Sequence, residues 1–242
     1  MTDDEKQLFK VTAEATLKPF GNLLERLFGG AVDQIGGEWE DRVKVRRALR
    51  REKLYAKLKT QLDDAGIDPQ GIPEKIWVPA LQSASLEDDE SLQEKWASLL
   101  ANASDPRGTT LVLPTFPTIL KELTSLDARF LNAFYEHAYL NPPQNLVSMP
   151  AGPLYTDNDL LELYPSDALG VVSYDGSMIR FRVTVDTLER SGLLSRTYMA
   201  PNADEPPSHG LTPIIHGYQI TTLGQLFVAA CRPPHKNTSI SQ

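Results

Sequence analysis

Residues 90–103 read ESLQEKWASLLANA and carry the clearest helical pattern of the chain. Their large apolar side chains recur at steps of three and four residues, which places them on one face of an α-helix; these are Leu92, Trp96, Leu99 and Leu100. Acidic residues at 87–90 precede the helix, where carboxylates interact favourably with the helix dipole, and Gly108 lies in the turn that ends it. We therefore predict a capped helix whose apolar face is buried and has a structural role.

The segment before this helix, residues 42–59, is strongly basic, although the whole chain of 242 residues carries a net charge of -8. Glu52 is its single acidic residue. The nine cations of this basic segment are Arg42, Lys44, Arg46, Arg47, Arg50, Arg51, Lys53, Lys57 and Lys59. We predict a long helix that ends near Asp64, with Gly66 as its left-handed cap and with five candidate buried residues: Leu49, Leu54, Tyr55, Leu58 and Leu62.

Two interpretations of the basic segment stay open. In the first, it binds nucleic acid or anionic lipid, because neutralisation of phosphates by Lys and Arg supplies most non-specific affinity. In the second, it is a solvated helix face whose charges pair with the acidic segments of the same chain. Tyr55 is the one aromatic residue among the cations, so the segment is a poor stacking platform for single-stranded nucleic acid.

The N-terminal region, residues 5–35, has an apolar stripe through Leu17, Phe20, Leu24, Leu27 and Phe28. The spacing predicts amphipathic helix with a break near Pro19. An alternative is that residues 8–35 lie on a membrane as an amphipathic helix and make the protein a membrane-acting toxin. The polar face of this stretch lacks the excess of cations that such helices have.

The central and C-terminal parts differ in pattern. Between residues 73 and 139 we predict further helices, limited or opened by Pro79 and Pro117, with Ser125 as a cap. After a proline-containing connection, the order changes to a helix capped by Thr184, a strand over 193–198, a loop over 199–211, a strand over 214–220 and a final helix. This order is that of a winged helix. Asp175-Gly176 favours either a hairpin or a short helix followed by a turn.

Winged helices often bind DNA through a recognition helix in the major groove. The corresponding helix here, residues 185–191, has a net charge of -1, and Arg180, Arg182 and Arg196 flank it. This composition favours contact with a protein, or a purely structural role, over approach to phosphate. A DNA-binding winged-helix regulator stays open as an alternative.

Catalytic and metal-binding motifs are missing from the sequence. The four histidines are scattered, and we find no HExxH, GxxxxGK, GxGxxG or GxSxG pattern. Asp157 and Asp159 form an isolated DxD, which is a weak signal for a metal-dependent nuclease. We predict no catalytic residues, no metal, no cofactor and no small-molecule substrate, and we expect Cys231 to be a buried structural thiol. The single cysteine, the composition of the first residues and the lack of a long apolar run predict a cytoplasmic protein.

Three segments resemble the Abi-alpha family of bacterial abortive-infection proteins. Residues 81–103, which contain the Trp96 helix and its acidic approach, resemble the family's central signature, and residues 114–128 are similar to the segment that follows it. Residues 188–194 and 220–227 match its closing pattern, which many winged helices share. The resemblance covers roughly residues 40–231 and implies a helical protein that acts in anti-phage defence inside a bacterial cell. It implies no catalytic residues.

We accordingly predict a mainly α protein with an N-terminal and central helical region followed by a C-terminal winged-helix-like α+β region. The predicted parts are 1–40 (amphipathic helices), 41–140 (central helical domain), 141–232 (winged-helix-like domain) and 233–242 (tail). The expected function is phage defence by binding rather than by catalysis. The expected partner is a protein, which includes a second copy of the chain, or an anionic target such as nucleic acid at the basic segment.

Overall fold

A computed structural model describes residues 18–29, 41–140, 148–149, 152–165, 174–199 and 215–236. The side chains of some residues at the ends of these ranges, Arg42 and Lys44 among them, lie outside the description. Within the described ranges helices dominate, and the strands form small two-stranded antiparallel sheets. The predicted mainly α class is therefore confirmed.

The chain divides into two compact units. Unit 1 comprises residues 1–122 and 229–242, and unit 2 comprises residues 123–228. The predicted boundaries near residues 40, 140 and 232 stay a prediction. Residues 8–35 are the stretch for which a membrane-lying helix is the alternative prediction. Of these, residues 8–17 and 30–35 lie outside the described residues.

The described part of unit 1 contains five complete α-helices. A short 3-10 helix, Lys18–Phe20, leads into α1, and α2 is the longest helix, at 25 residues. The helices are α1 (Gly21–Phe28), α2 (Asp41–Ala65), α3 (Glu74–Ala84), α4 (Glu90–Ala103) and α5 (Phe116–Glu122). Helix α4 has the predicted bounds and packs against α2 and α3.

Helix α4 forms for the reasons that its sequence indicates. The carboxylate of Asp89 caps it by accepting hydrogen bonds from the backbone N–H groups of Ser91 (2.9 Å) and Leu92 (3.1 Å), and such a cap stabilises a helix by about 1 kcal/mol. Its four predicted apolar residues are buried, and Trp96 is 1% exposed. The buried amide of Asn102 donates to the carbonyl oxygens of Ala230 (3.0 Å) and Arg232 (2.8 Å). This contact ties the C-terminal segment of unit 1 to α4.

Helix α2 buries Leu54, Tyr55, Leu58 and Leu62 as predicted, whereas the prediction for Leu49 is wrong because this side chain is 53% exposed. Leu49 precedes Leu54 by five residues, which rotates it by about 140° from the buried stripe. The end of α2 is a Schellman motif, as its glycine predicts. Gly66 has φ +62°, and the N–H of Ile67 donates to the carbonyl of Leu62 at 2.9 Å.

One prediction about a proline and one about a helix cap are wrong. Pro79 does not limit α3, which continues through it to Ala84 while burying Ala80 and Leu81; this burial offsets the lost backbone hydrogen bond. Thr124, not Ser125, caps the following helix. Its side chain and that of Asp127 form a reciprocal capping box, which satisfies two backbone donors where Ser125 would satisfy one.

Unit 2 contains further helices and two sheets in its described part. Its elements are α6 (Ser125–Tyr135) with a π-helical extension (Glu136–Leu140), β1 (Ser148–Met149), β2 (Gly152–Pro153), α7 (Asp157–Leu163), α8 (Tyr174–Arg190), β3 (Leu194–Met199), β4 (Ile215–Ile220) and α9 (Thr222–Ala230), whose last two residues are assigned to unit 1. Strands β3 and β4 are antiparallel, with Leu194 opposite Ile220 and Met199 opposite Ile215. Residues 200–214, most of the predicted loop, lie outside the described residues.

The start of α8 differs from prediction. The helix begins at Tyr174, so Asp175-Gly176 forms no hairpin and Thr184 is not a cap but a buried residue within the helix. The physical reason is an aromatic cluster, in which the ring of Phe181 lies 6.1 Å from Phe130 and 5.6 Å from Tyr164. Burial of these rings stabilises helix where the local sequence favours a turn.

Candidate functional site

The basic segment lies on helix α2, which carries all nine predicted cations. The side chains of Arg42 and Lys44 lie outside the described residues. Among the others, Arg46, Lys53 and Lys59 are exposed, whereas Arg47, Arg50, Arg51 and Lys57 are half-buried. The half-buried cations take part in interactions within the chain.

Lys57 is held by two carboxylates of helix α4. Its Nζ lies 2.8 Å from Glu90 Oε1 and 3.1 Å from Glu94 Oε1. Partial burial opposes the positive charge of Lys57, but the hydrogen bonds to both carboxylates outweigh it and raise the pKa of the amine. The hydrogen bond from Lys57 in turn lowers the pKa of Glu90. This cation is thus committed to an ion pair inside unit 1.

Two other cations are also engaged within unit 1. Arg50 donates to the carbonyl oxygen of Leu86 at 3.1 Å and to Asp88 Oδ2 at 3.4 Å. Lys59 forms an ion pair with Asp63, one helical turn further along α2. The acids that pair with Arg50 and Lys57 belong to the acidic approach and first turns of α4, as the second interpretation of the basic segment predicts.

The residues of the family-like signature are core residues. Leu92, Trp96, Leu99 and Leu100 are all buried in the core of unit 1. In the parts of the chain that the structure describes, no group of three or more His, Cys, Asp or Glu residues is arranged to hold a metal ion. Cys231 is buried, and this burial raises the pKa of its thiol to about 12.

A pocket of about 310 Å³ lies in unit 2. Helix α8 contributes four of its lining residues, and β3, β4 and the first residue of α7 contribute one each. The lining residues are Asp157, Phe181, Arg182, Val185, Asp186, Arg196 and Tyr218. Phe181, Val185 and Tyr218 are buried and form an apolar floor, while the charged side chains stand at the rim.

Arg196 is fixed in one wall of this pocket. Its Nη2 lies 2.8 Å from Glu189 Oε2 and 3.6 Å from Asp186 Oδ1, and its guanidinium stands 5.2 Å from the centre of the Tyr218 ring. Burial raises the pKa of Tyr218 to about 12, and a hydrogen bond to Asp157 acts in the same direction. The phenol is therefore neutral and donates to the carboxylate of Asp157. Arg196 and Tyr218 are thus each held by neighbouring side chains of unit 2.

The mouth of the pocket continues onto an exposed face of α8. Arg182 is exposed, and it makes no ion pair with any residue that the structure describes. Beside it, Ile179 and Val183 are 57% and 58% exposed. The sequence gives no sign of this pocket as a unit, although Arg182 and Arg196 are recognisable as flanking the helix 185–191. Its walls come from segments far apart in the chain.

The described helices include none that is both long and apolar enough to cross a membrane. A family model described as abortive infection alpha matches residues 49–231. This mainly helical chain therefore belongs to the abortive infection alpha family, as its sequence signature predicts, and the membership indicates a role in abortive infection of phage-infected cells. No curated protein and no solved structure matches the chain.

Proposed function

We propose that the protein acts in phage defence by binding a protein partner, in the bacterial cytoplasm and without catalysing a reaction. The observation that carries this proposal is the internal pairing of the basic segment. Arg50 and Lys57 are engaged by the acidic approach to α4, and Lys59 by Asp63. A polyanion would have to displace these contacts before it gained the cations.

The cations of α2 that are not engaged in these ion pairs are too few to bind a polyanion strongly. Affinity for nucleic acid rises with the number of phosphates that cations neutralise. Among the described side chains of α2, Arg46 and Lys53 are exposed cations that belong to none of the ion pairs above, and the chain as a whole carries a charge of -8. A second candidate, binding of an anionic target by α2, depends on these two residues together with Arg42 and Lys44.

The N-terminal apolar stripe packs inside unit 1. Leu24, Leu27 and Phe28 are buried, and the ring of Phe28 lies 5.2 Å from that of Trp77. A membrane-inserting role for this part of residues 8–35 would require the loss of these contacts. The apolar face of α1 therefore favours the protein-binding proposal over a membrane-acting toxin.

Unit 2 offers a more suitable surface for a protein. We interpret the order α8, β3, β4, α9 as winged-helix-like, with α8 presenting the exposed pair Ile179 and Val183 beside the pocket. Protein interfaces usually have an apolar centre surrounded by a polar rim, and this surface has apolar side chains with charged groups around them. Non-catalytic action through this surface is consistent with the lack of a recognisable catalytic motif in the sequence.

Infection of bacteria that carry the gene tests the proposal, with survival of infected cells and phage yield measured separately. We expect the double variant Ile179→Asp/Val183→Asp to lose protection, because it places two charges in the proposed interface. Leu111→Asp is the matched control, since Leu111 is 55% exposed and lies in unit 1. Circular dichroism verifies that each variant is folded.

Charge reversal on α2 separates the two candidates. We expect Arg46→Glu/Lys53→Glu to retain protection, and we expect the intact protein to bind neither a DNA duplex nor anionic vesicles at physiological salt. Loss of protection in this variant, together with binding of DNA or vesicles by the unmodified protein, would replace the proposal with the anionic-target candidate.

A further inference from the structure

We propose that the pocket of unit 2 receives one apolar side chain from an acidic peptide segment of a partner protein, with a neighbouring carboxylate of that segment bound by Arg182. The inference rests on the proposed function and specifies the chemistry of the partner. Its basis is the combination of an apolar floor, a cation (Arg182) that has no ion pair within the described part of the chain and an exposed apolar pair on the same helix.

The size of the pocket suits a side chain rather than a large cofactor. Ligand pockets for small molecules range from about 300 to 1,000 Å³, and this one, at about 310 Å³, lies at the lower end. Phe181 and Val185 from α8 and Tyr218 from β4 form the floor. An aliphatic or aromatic side chain placed there loses its water against three apolar surfaces, which is how anchor residues contribute most of the energy of an interface.

Arg182 is the charged side chain of the pocket that can bind an acidic residue of the segment. Both carboxylates of the lining already have partners, because Asp157 accepts a hydrogen bond from Tyr218 and Asp186 lies 3.6 Å from Arg196. Arg196 is held by Glu189 as well. The four charged side chains of the lining sum to zero, but Arg182 makes no ion pair within the described part of the chain, so its guanidinium is available to bind a carboxylate. A guanidinium can bind a carboxylate through two parallel hydrogen bonds.

The surface of α8 next to the pocket mouth also combines apolar side chains with a cation. At about 100° per residue, Ile179, Val183 and Arg190 project from the side of α8 adjacent to Arg182, and all three are exposed. A peptide segment that anchors in the pocket would therefore meet further apolar surface and a second cation. This arrangement places the anchor at the centre of the interface and weaker contacts around it.

Selection of peptides tests the proposal on the full chain. The probe is a displayed library of random 12-residue peptides, and enriched sequences are then synthesised with a fluorescent label for anisotropy titrations. We expect enrichment of an apolar residue flanked by Asp or Glu. The variant Arg182→Glu should weaken binding of these peptides by about tenfold, which corresponds to about 1.4 kcal/mol.

Two controls make the result specific. Arg180→Glu reverses an exposed charge of the same helix about 200° away from Arg182, and we expect it to leave the affinity unchanged. Exchange of the peptide's acidic residue for Arg should restore binding to Arg182→Glu. A photoreactive group at the anchor position should attach to a proteolytic fragment that contains residue 181, 185 or 218.

Three outcomes overturn the inference: no enriched peptide, equal affinity of Arg182→Glu and the unmodified protein, or Arg182-dependent binding of a labelled DNA duplex in place of peptide. Protection from phage distinguishes this failure from that of the proposed function. If Ile179→Asp/Val183→Asp loses protection while peptides ignore Arg182, the partner is still a protein but the pocket is not its anchor. If peptides bind as expected while Ile179→Asp/Val183→Asp and Arg182→Glu both keep protection, the proposed function fails instead.

Discussion

At the scale of single residues, Trp96 is central to unit 1. It is 1% exposed and is the largest of the fully buried side chains in the described part of the chain. Truncation of a buried aromatic residue removes its transfer free energy and leaves a cavity. The role of Trp96 in the family signature is therefore to stabilise the fold.

We expect Trp96→Ala to lower the free energy of unfolding by about 3–5 kcal/mol, measured from urea denaturation followed by circular dichroism. The control is Leu111→Ala, which removes an exposed apolar side chain and should change stability by less than about 0.5 kcal/mol. Equal urea midpoints for the two variants would contradict the structural role of Trp96.

The ion pair between Glu90 and Lys57 predicts a pH dependence. The hydrogen bond from Lys57 lowers the pKa of Glu90 below its ordinary value of about 4.5. The resulting stability is present above that value and is lost as the pH falls through the lowered pKa of the folded protein. The effect is small because Glu90 is exposed to solvent.

We therefore expect Glu90→Gln to unfold at a lower urea concentration than the unmodified protein at pH 7, and we expect this difference to close as the pH approaches 3. Glu122→Gln is the control, since Glu122 is an exposed acid at the end of α5 and should show little difference. A difference between Glu90→Gln and the unmodified protein that stays constant with pH would mean that the ion pair does not form.

At the scale of elements, the packing of α9 depends on Gly224. A Cβ atom at this position would collide with the backbone oxygen of Leu193 and would lie 2.8 Å from Cγ2 of Ile220. The backbone oxygen cannot rotate away as a side chain can. Glycine is therefore required where α9 passes the residue before β3.

We expect Gly224→Ala to lower the free energy of unfolding by about 1–3 kcal/mol, the usual cost of overpacking a core. Gly21→Ala makes the same substitution at the first residue of α1, where no atom lies within 4 Å of the added methyl group, and it should be neutral or slightly stabilising. Thermal unfolding compares the two variants. A neutral Gly224→Ala would show that α9 can move away from Leu193.

Local sequence is sufficient to predict the ends of some helices but not of others. The bounds of α4 are predictable because its periodicity and its acidic cap agree, and α2 ends where Gly66 allows a left-handed conformation. The beginning of α8 is not predictable in this way, because Asp175-Gly176 has turn propensity and the helix depends on the distant rings of Phe130 and Tyr164. Tertiary burial here overrides a local preference.

At the scale of the whole molecule, the sequence reveals some residues of the candidate site, whereas their contacts are visible only in the structure. The cations of the basic segment are visible in the sequence, but their pairing is not, because Lys57 meets acids more than thirty residues away. The pocket is less predictable still. Asp157, Phe181, Arg196 and Tyr218 come from four elements, and no spacing in the sequence connects them.

The central claim is that this abortive infection protein acts through a protein-binding surface on α8. Photo-crosslinking in infected cells tests it most directly, with a photoreactive amino acid at position 183, at position 46 or at the control position 111. We predict an adduct from position 183 that protease removes and nuclease does not, and no such adduct from position 111. A nuclease-sensitive or lipid-extractable adduct from position 46, with none from position 183, would contradict the account.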